Sequence, residues 1–242
     1  MPIGIITNVL VVVIGGIAGA LAGDKISDSF KENLNTIFGA CAMSMGVGSI
    51  VLMENMPAVI FAVIAGTSIG LIIHMGRQID KAGMVMQKGI SKVIKPSGKN
   101  KTGDNSSVMV TALVLFCASG TGIYGSIVSG MTGDHSILLA KSILDLATAL
   151  IFACTLGMVV SLIALPQFVI FMALYLLAGA IYPLCTPAMI NDFKACGGIL
   201  LLATGFRMIK VKEFPVADMI PAMVLVMPVS WLWTSYILPL MG

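Results

Sequence analysis

Charge is scarce in this chain. Lys, Arg, Asp and Glu together make up 10% of its 242 residues, 14 basic against 11 acidic, beside a hydrophobic content of 58%. A soluble domain carries roughly 25% charged residues. The chain therefore lacks the polar groups to clothe a water-facing surface, which excludes a soluble enzyme, a disordered chain and a nucleic-acid binder. Histidine is rarer still: His74 and His135 lie far apart, neither with a second nitrogen or sulfur ligand nearby in sequence. The five cysteines (Cys41, Cys117, Cys154, Cys185, Cys196) sit singly within apolar stretches and form no Cys-x-x-Cys pair. Neither a disulfide framework nor a metal site is expected, and small buried thiols are the simpler reading. There is no phosphate loop, no His-Glu-x-x-His, no Gly-x-Ser-x-Gly and no pair of catalytic carboxylates on neighbouring stretches. No enzyme activity, catalytic residue or cofactor is therefore expected.

What the chain has instead is long apolar runs. The first, Ile3 to Ala22, is about twenty residues long, enough for a helix across a ~30 Å hydrocarbon core. No basic residue precedes Lys25, so this run reads as a retained transmembrane helix rather than a secretory signal. Further apolar stretches follow at 34–53, 54–75, 108–132, 137–163, 166–186, 189–208 and 215–240. The expected fold is thus an all-α integral membrane protein, a single transmembrane domain over 1–242 with about eight helices. The count falls to seven if Ala164-Leu165-Pro166 is a kink rather than a loop.

The positive-inside rule orients these spans. Seven basic residues (Arg77, Lys81, Lys88, Lys92, Lys95, Lys99, Lys101) fall between spans three and four, Lys25 and Lys31 between one and two, and Arg207, Lys210 and Lys212 between seven and eight. With eight spans all three clusters share one face, which places both termini outside and the loop 76–107 in the cytoplasm. Trp231, Trp233 and Tyr236 then reach the outer interface as an aromatic belt. Within the loop, Ile79, Met86, Ile90 and Val93 share a helical face interleaved with lysines, the pattern of a helix on an anionic membrane surface. A flexible linker follows from Pro96 to Ser107.

Shifting the first third of the chain by 159 positions pairs Gly39 with Gly198, Gly46 with Gly205, Glu54 with Glu213 and Ala58 with Ala217. Spans 1–3 then match spans 6–8. The offset is an odd number of helices, so the copies run in opposite directions, and an inverted repeat is predicted, a common plan of secondary transporters. Gly15, Gly19 and Gly23 form one GxxxGxxxG ridge, and Gly66 and Gly70 a second. Such ridges let helices approach closely in lipid, within the chain or in a homodimer.

Ionisable groups inside a span are costly and point to function. Asp145 lies about nine residues into the fifth span, near mid-membrane, with Lys141 one turn earlier on the same face. That pair can bind an ion or solute, or it can lock the fold. Span four carries Gly120, Gly122, Gly125 and Gly130 among Ser119, Thr121, Ser126 and Ser129. This pattern fits a broken helix beside a polar cavity, or equally a small-residue packing face. Asn8 lies early in span one. Asp192 and Lys194 open span seven as an outer gate or, more simply, an interfacial anchor.

Met1 to Asn8 followed by Gly15-Gly16, the stretch Thr132-Gly-Asp-His-Ser-Ile-Leu-Leu-Ala-Lys-Ser-Ile-Leu-Asp145, and Ala195-Cys-Gly197-Gly198 with Gly205 resemble the YqgA/YdfK-type family of bacterial inner-membrane proteins. The likeness runs nearly end to end. It implies a multi-pass protein of the bacterial cytoplasmic membrane and carries no reaction or substrate, because that family is of unknown function. Two expectations remain: a secondary transporter or permeation protein for a small polar solute, cationic or proton-coupled, or a scaffold whose GxxxG faces bind another protein. The expected partners are the lipid bilayer and an unknown solute or ion.

Overall fold

The structure is a computed structural model, and it describes residues 1–22, 27–93, 105–117, 119–240. The described residues are helical and include no strand. In order they form α1 (Ile3–Ala22), α2 (Asp28–Ile50), α3 (Met56–Ile72), α4 (Met75–Val93), α5 (Asn105–Cys117), α6 (Gly120–Thr132), α7 (Ser136–Leu156), α8 (Val159–Leu162), α9 (Ala164–Ile181), α10 (Pro187–Met208), α11 (Ile220–Leu232) and α12 (Leu238–Leu240). Among the described residues five helical stretches are long and apolar enough to cross a membrane: Ile3–Ala22, Ala112–Thr132, Ser136–Leu156, Val159–Leu184 and Val216–Leu240. The bent pair Met56–Ile72 and Met75–Ile90 makes a sixth if it is one span. α2 and α10 have comparable length but carry charge, including Asp192, Lys194 and Arg207 in α10.

The helix ends follow local chemistry. Pro57 and Pro187 sit in the first turns of α3 and α10, where a missing N–H costs nothing. Thr186 caps α10 by accepting from Met189 N at 3.3 Å. α7 stops at Gly157, whose φ of 78° suits a residue without a side chain. That turn corrects the expected boundary at Pro166. Pro166 lies in the first turn of α9, where proline is tolerated, and the positive φ at Gly157 is what breaks the chain.

The chain forms two compact units, Met1–Asn35 with Gln78–Ala180, and Thr36–Arg77 with Ile181–Gly242. In the first, α1 and α7 run parallel. A Cβ on Gly15 would lie 2.5 Å from the Leu146 carbonyl oxygen, and one on Gly19 would meet the Leu150 carbonyl oxygen. Below this seam Val12, Ala149 and Ala153 join Leu113, Phe116, Leu156, Val160 and Ile163 in a core. Met86 and Ile90 of α4 pack against that core. Part of the apolar face expected to meet lipid thus meets protein.

In the second unit α2 and α10 cross antiparallel on four glycines. A Cβ on Gly46 would lie 2.6 Å from the Gly198 carbonyl oxygen, and one on Gly198 would lie 2.6 Å from that of Gly46. Gly39 and Gly205 face each other in the same way, at 3.0 Å and 2.7 Å. Gly66 and Gly70 of α3 lie against Ala222 and Asp218. Both described GxxxG ridges are therefore filled by the chain's own helices, and Gly23 lies outside the described residues. Trp231 stacks edge-on against Tyr236 at 5.8 Å.

Gly19→Val should lower the midpoint of thermal unfolding in detergent, because the added methyls meet backbone that cannot step aside. Overpacking of this kind costs about 1–3 kcal/mol. Gly48, with nothing within 4 Å of a Cβ, is the control: Gly48→Ala should leave the midpoint unchanged or raise it.

Candidate functional site

Four buried polar side chains of the first unit, Asn8, Lys141, Asp145 and Gln167, meet between α1, α7 and α9. Lys141 and Asp145 are one turn apart on α7, so both side chains lie on one face. The Lys141 ammonium donates to Asp145 Oδ1 at 2.8 Å and lies 2.7 Å from Oδ2, spanning the carboxylate. From α1, Asn8 Nδ2 donates to Asp145 Oδ2 at 2.9 Å. From α9, Gln167 Nε2 donates to Asn8 Oδ1 at 2.7 Å and, at 3.5 Å, to Asp145 Oδ2. Asn8 and Gln167 are 0% exposed, Lys141 3% and Asp145 5%. At ~1.5 Å per residue Asp145 lies roughly 13 Å from the start of α7, close to the middle of a ~30 Å core.

Charge explains the arrangement. A carboxylate taken out of water costs several kcal/mol unless it is paired and hydrogen-bonded. Asp145 meets that requirement with one cation and two amides. A carboxylate only accepts, so Asn8 must turn its NH₂ toward it. The Asn8 carbonyl then accepts from Gln167, and the chain of bonds ends on Gln167 Oε1. That buried oxygen has no hydrogen-bond partner, and neither has Ser126 Oγ.

Beside the pair the helix is interrupted. α5 ends at Cys117, Ser119 is extended (φ −69°, ψ 143°), and α6 begins at Gly120, with Ser119 Oγ accepting from Gly122 N at 3.2 Å. The expected break is present, but ahead of the glycines. Gly122 instead serves close packing: a Cβ there would meet the Phe171 ring and lie 3.1 Å from Lys141 Cε. Thr121 is buried in the first turn of α6. Ser129 Oγ lies 2.6 Å from His135 Nδ1 at the α6–α7 turn. Asn8, Lys141 and Asp145 are thus brought together, whereas Ser119 is a helix cap and Ser129 a partner of His135.

Asp192 belongs to a different network, in the second unit. It is 0% exposed. Its Oδ1 accepts from Glu54 N and Asn55 N, both at 2.9 Å, and its Oδ2 from Asn55 Nδ2 at 2.9 Å and Ser230 Oγ at 2.6 Å. This corrects the reading of an interfacial anchor: the carboxylate is buried because it caps the start of α3, where unbonded amides favour a negative charge. Asp218 likewise accepts from Gly76 N at 2.8 Å, at the start of α4. Gln167, Asn55 and Ser230 carry no local sequence pattern that marks them as site residues. For Gln167 a signal existed, since it stands 159 positions after Asn8, the same offset that aligns the glycines.

An all-helical chain that holds a carboxylate–ammonium pair inside a bundle of membrane-length apolar helices is a multi-pass membrane protein. More particularly, it belongs to the family described as "Protein of unknown function (DUF554)", whose model matches residues 3–231. It is 40% identical over 244 residues to "Uncharacterized protein YqgA" of Escherichia coli (strain K12), covering 98% of this chain and 99% of that one. It is 25% identical over 222 residues to "Uncharacterized membrane protein YdfK" of Bacillus subtilis (strain 168), covering 92% and 93%. No solved structure matches the chain.

Removing one member of the pair should destabilise more than removing both. Lys141→Ala or Asp145→Asn leaves an uncompensated buried group, which costs about 3–5 kcal/mol. The double variant Lys141→Met/Asp145→Leu should lose less than either single one in thermal melts. Ser126→Ala removes a hydroxyl without a partner, so its melting temperature should stay level or rise.

Proposed function

We propose that the protein is a secondary transporter or permeation protein for a small polar solute, with Asp145, Lys141, Asn8 and Gln167 at its centre. One observation carries this reading: a charged pair at mid-membrane depth, joined by amides from two further helices, ends on an acceptor oxygen with no bond. The helix break at Ser119 adds to it, because irregular backbone at that depth persists where it lies against protein or lines a polar cavity.

A common register in the helix ends supports the same plan. α1 and α9 end 159 positions apart, at Ala22 and Ile181, and α2 and α10 begin 159 apart, at Asp28 and Pro187. α3 and α11 end 160 apart, at Ile72 and Leu232. In this register the Gly39–Gly205 contact exchanges with Gly46–Gly198, and the Asn8–Gln167 bond maps onto itself. Such exchanges are what a two-fold relation between copies would produce. We therefore favour eight spans with spans 1–3 and 6–8 as an inverted repeat, in a bacterial cytoplasmic membrane, with both termini outside and the loop 76–107 inside. The protein is not an enzyme on this reading and needs no cofactor. The scaffold alternative, with a homodimer, would need free GxxxG faces, and Gly15, Gly19, Gly66 and Gly70 are already packed against this chain's own helices.

The test is thermal stability of the purified protein against small amines, amino acids, organic acids and metal ions at two pH values, with Asp145→Asn in parallel. A ligand held only by the native state adds about 2.7 kcal/mol at ~100 times its Kd, which is several degrees in Tm. A hit that vanishes in Asp145→Asn supports the transporter. Silence across the panel, with the variant merely less stable, makes the pair structural and sinks the proposal.

A further inference from the structure

We infer that the solute is a small monovalent cation, and that the site exchanges it one-for-one against the proton of Lys141. This rests on the transporter reading and names its substrate class and coupling.

The argument begins with charge. The site holds one carboxylate, Asp145, and one ammonium, Lys141. The facing elements add no net charge: α1 brings the amide of Asn8, α9 the amide of Gln167 and the ring of Phe171, and α6 the bare Gly122. From α5 the titratable group on this side is the Cys117 thiol, buried in the core that includes Ala149. His135, at the head of α7, bonds Ser129 instead. One carboxylate balances one positive charge, so the site suits a monovalent ion and not a divalent one.

The acceptors then define the cation's coordination. Once Lys141 leaves, Asp145 Oδ1 and Oδ2 regain free lone pairs, and Gln167 Oε1 is an acceptor with no present bond. A dehydrated alkali ion needs oxygens of this kind, and a protonated amine needs the same acceptors for its N–H groups. Lys141 is in effect a tethered copy of the solute: its own ammonium sits where the incoming charge would sit. Its stem runs past Gly122, where only hydrogen separates it from the α6 backbone.

Exchange follows from the cost of burial. When a cation takes Asp145, an ammonium on Lys141 would be buried without a counter-ion, which is prohibitive. The N–H bond breaks, the neutral amine remains, and the proton passes to water on the side to which the site is open. Ser126 and Ser129, four and seven positions beyond Gly122, carry hydroxyls along that face of α6 toward His135. When the cation departs, Lys141 regains a proton and the pair reforms. One charge enters as one leaves, so the cycle is electroneutral.

The experiment uses the full chain in proteoliposomes with a trapped pH-sensitive dye. Sodium, potassium, lithium and guanidinium chlorides are added outside, one at a time. At least one salt should make the lumen more alkaline in the wild type, at a rate unaffected by an imposed membrane potential. Lys141→Arg preserves the charge and the pairing but cannot give up its proton. It should fold normally by gel filtration and cut the rate at least tenfold. The inference is overturned if no salt changes the lumenal pH, or if Lys141→Arg exchanges as fast as the wild type. If the same vesicles carry a ligand found by thermal shift while the pH stays still, the exchange falls and the transporter stands. If nothing moves, both fall.

Discussion

The cost of placing a charge in a medium that cannot solvate it governs the first unit of this protein. Asp145 is buried at a depth where water cannot reach it cheaply, and everything around it can be read as compensation. Lys141 supplies the opposite charge from one turn away, so the pair forms within a single helix and needs no long-range fold to find it. The amides are different. Asn8 and Gln167 come from α1 and α9, and their bonds tie three helices to one carboxylate. The orientation of both amides follows from the fact that a carboxylate cannot donate. Polarity therefore propagates outward from Asp145 in one direction only, and it ends on Gln167 Oε1.

The helices around the site are held by a second constraint. In lipid, apolar side chains gain little by leaving their surroundings, so association depends on close van der Waals contact. That is why glycine lies at the tightest crossings. On α1, Gly15 and Gly19 let α7 come near enough for Asn8 to reach Asp145 at 2.9 Å. In the second unit, the four glycines of α2 and α10 do the same for the helix that carries Asp192. Buried carboxylates thus recur in both units with different partners. Asp145 is balanced by an ammonium, whereas Asp192 accepts from amides and a hydroxyl.

Much of this was legible in the residues. Composition calls for a membrane protein and the long apolar runs for helices, and the spacing of Lys141 and Asp145 puts them on one shared face. Asn8 could be singled out as a polar group in an apolar run, but nothing local said what it touched. Gln167 was harder, because one amide among Phe168, Val169 and Ile170 does not disturb the hydropathy of its helix. The partners of Asp192 are hidden in the sequence: Lys194, two positions on along the helix, points to a different side, and the actual partners, Asn55 and Ser230, are distant in sequence. The turn at Gly157 is masked in the sequence by Pro166, which looks like the stronger breaker, although a proline in a first turn breaks nothing. The face of α4 with Met86 and Ile90 gave the right periodicity, but periodicity does not say whether an apolar face meets lipid or a protein core.

The proposed repeat bears on how such a site could arise. On the 159-residue register Asn8 and Gln167 are equivalent positions, one in each copy. Both address the same oxygen, Asp145 Oδ2, at 2.9 Å and 3.5 Å. Asp145 and Lys141 belong to neither copy, because α7 lies between them in the chain. A duplication of this kind would by itself yield two related amides facing one another. It does not yield a charge, since a charge at a symmetric position would appear twice and repel itself. Placing the carboxylate and its ammonium on the single helix between the copies avoids that repulsion. It gives a site whose polar shell is near-symmetric and whose charge is not, and a bond between the two copies, Gln167 to Asn8, that depends on the central carboxylate for its direction.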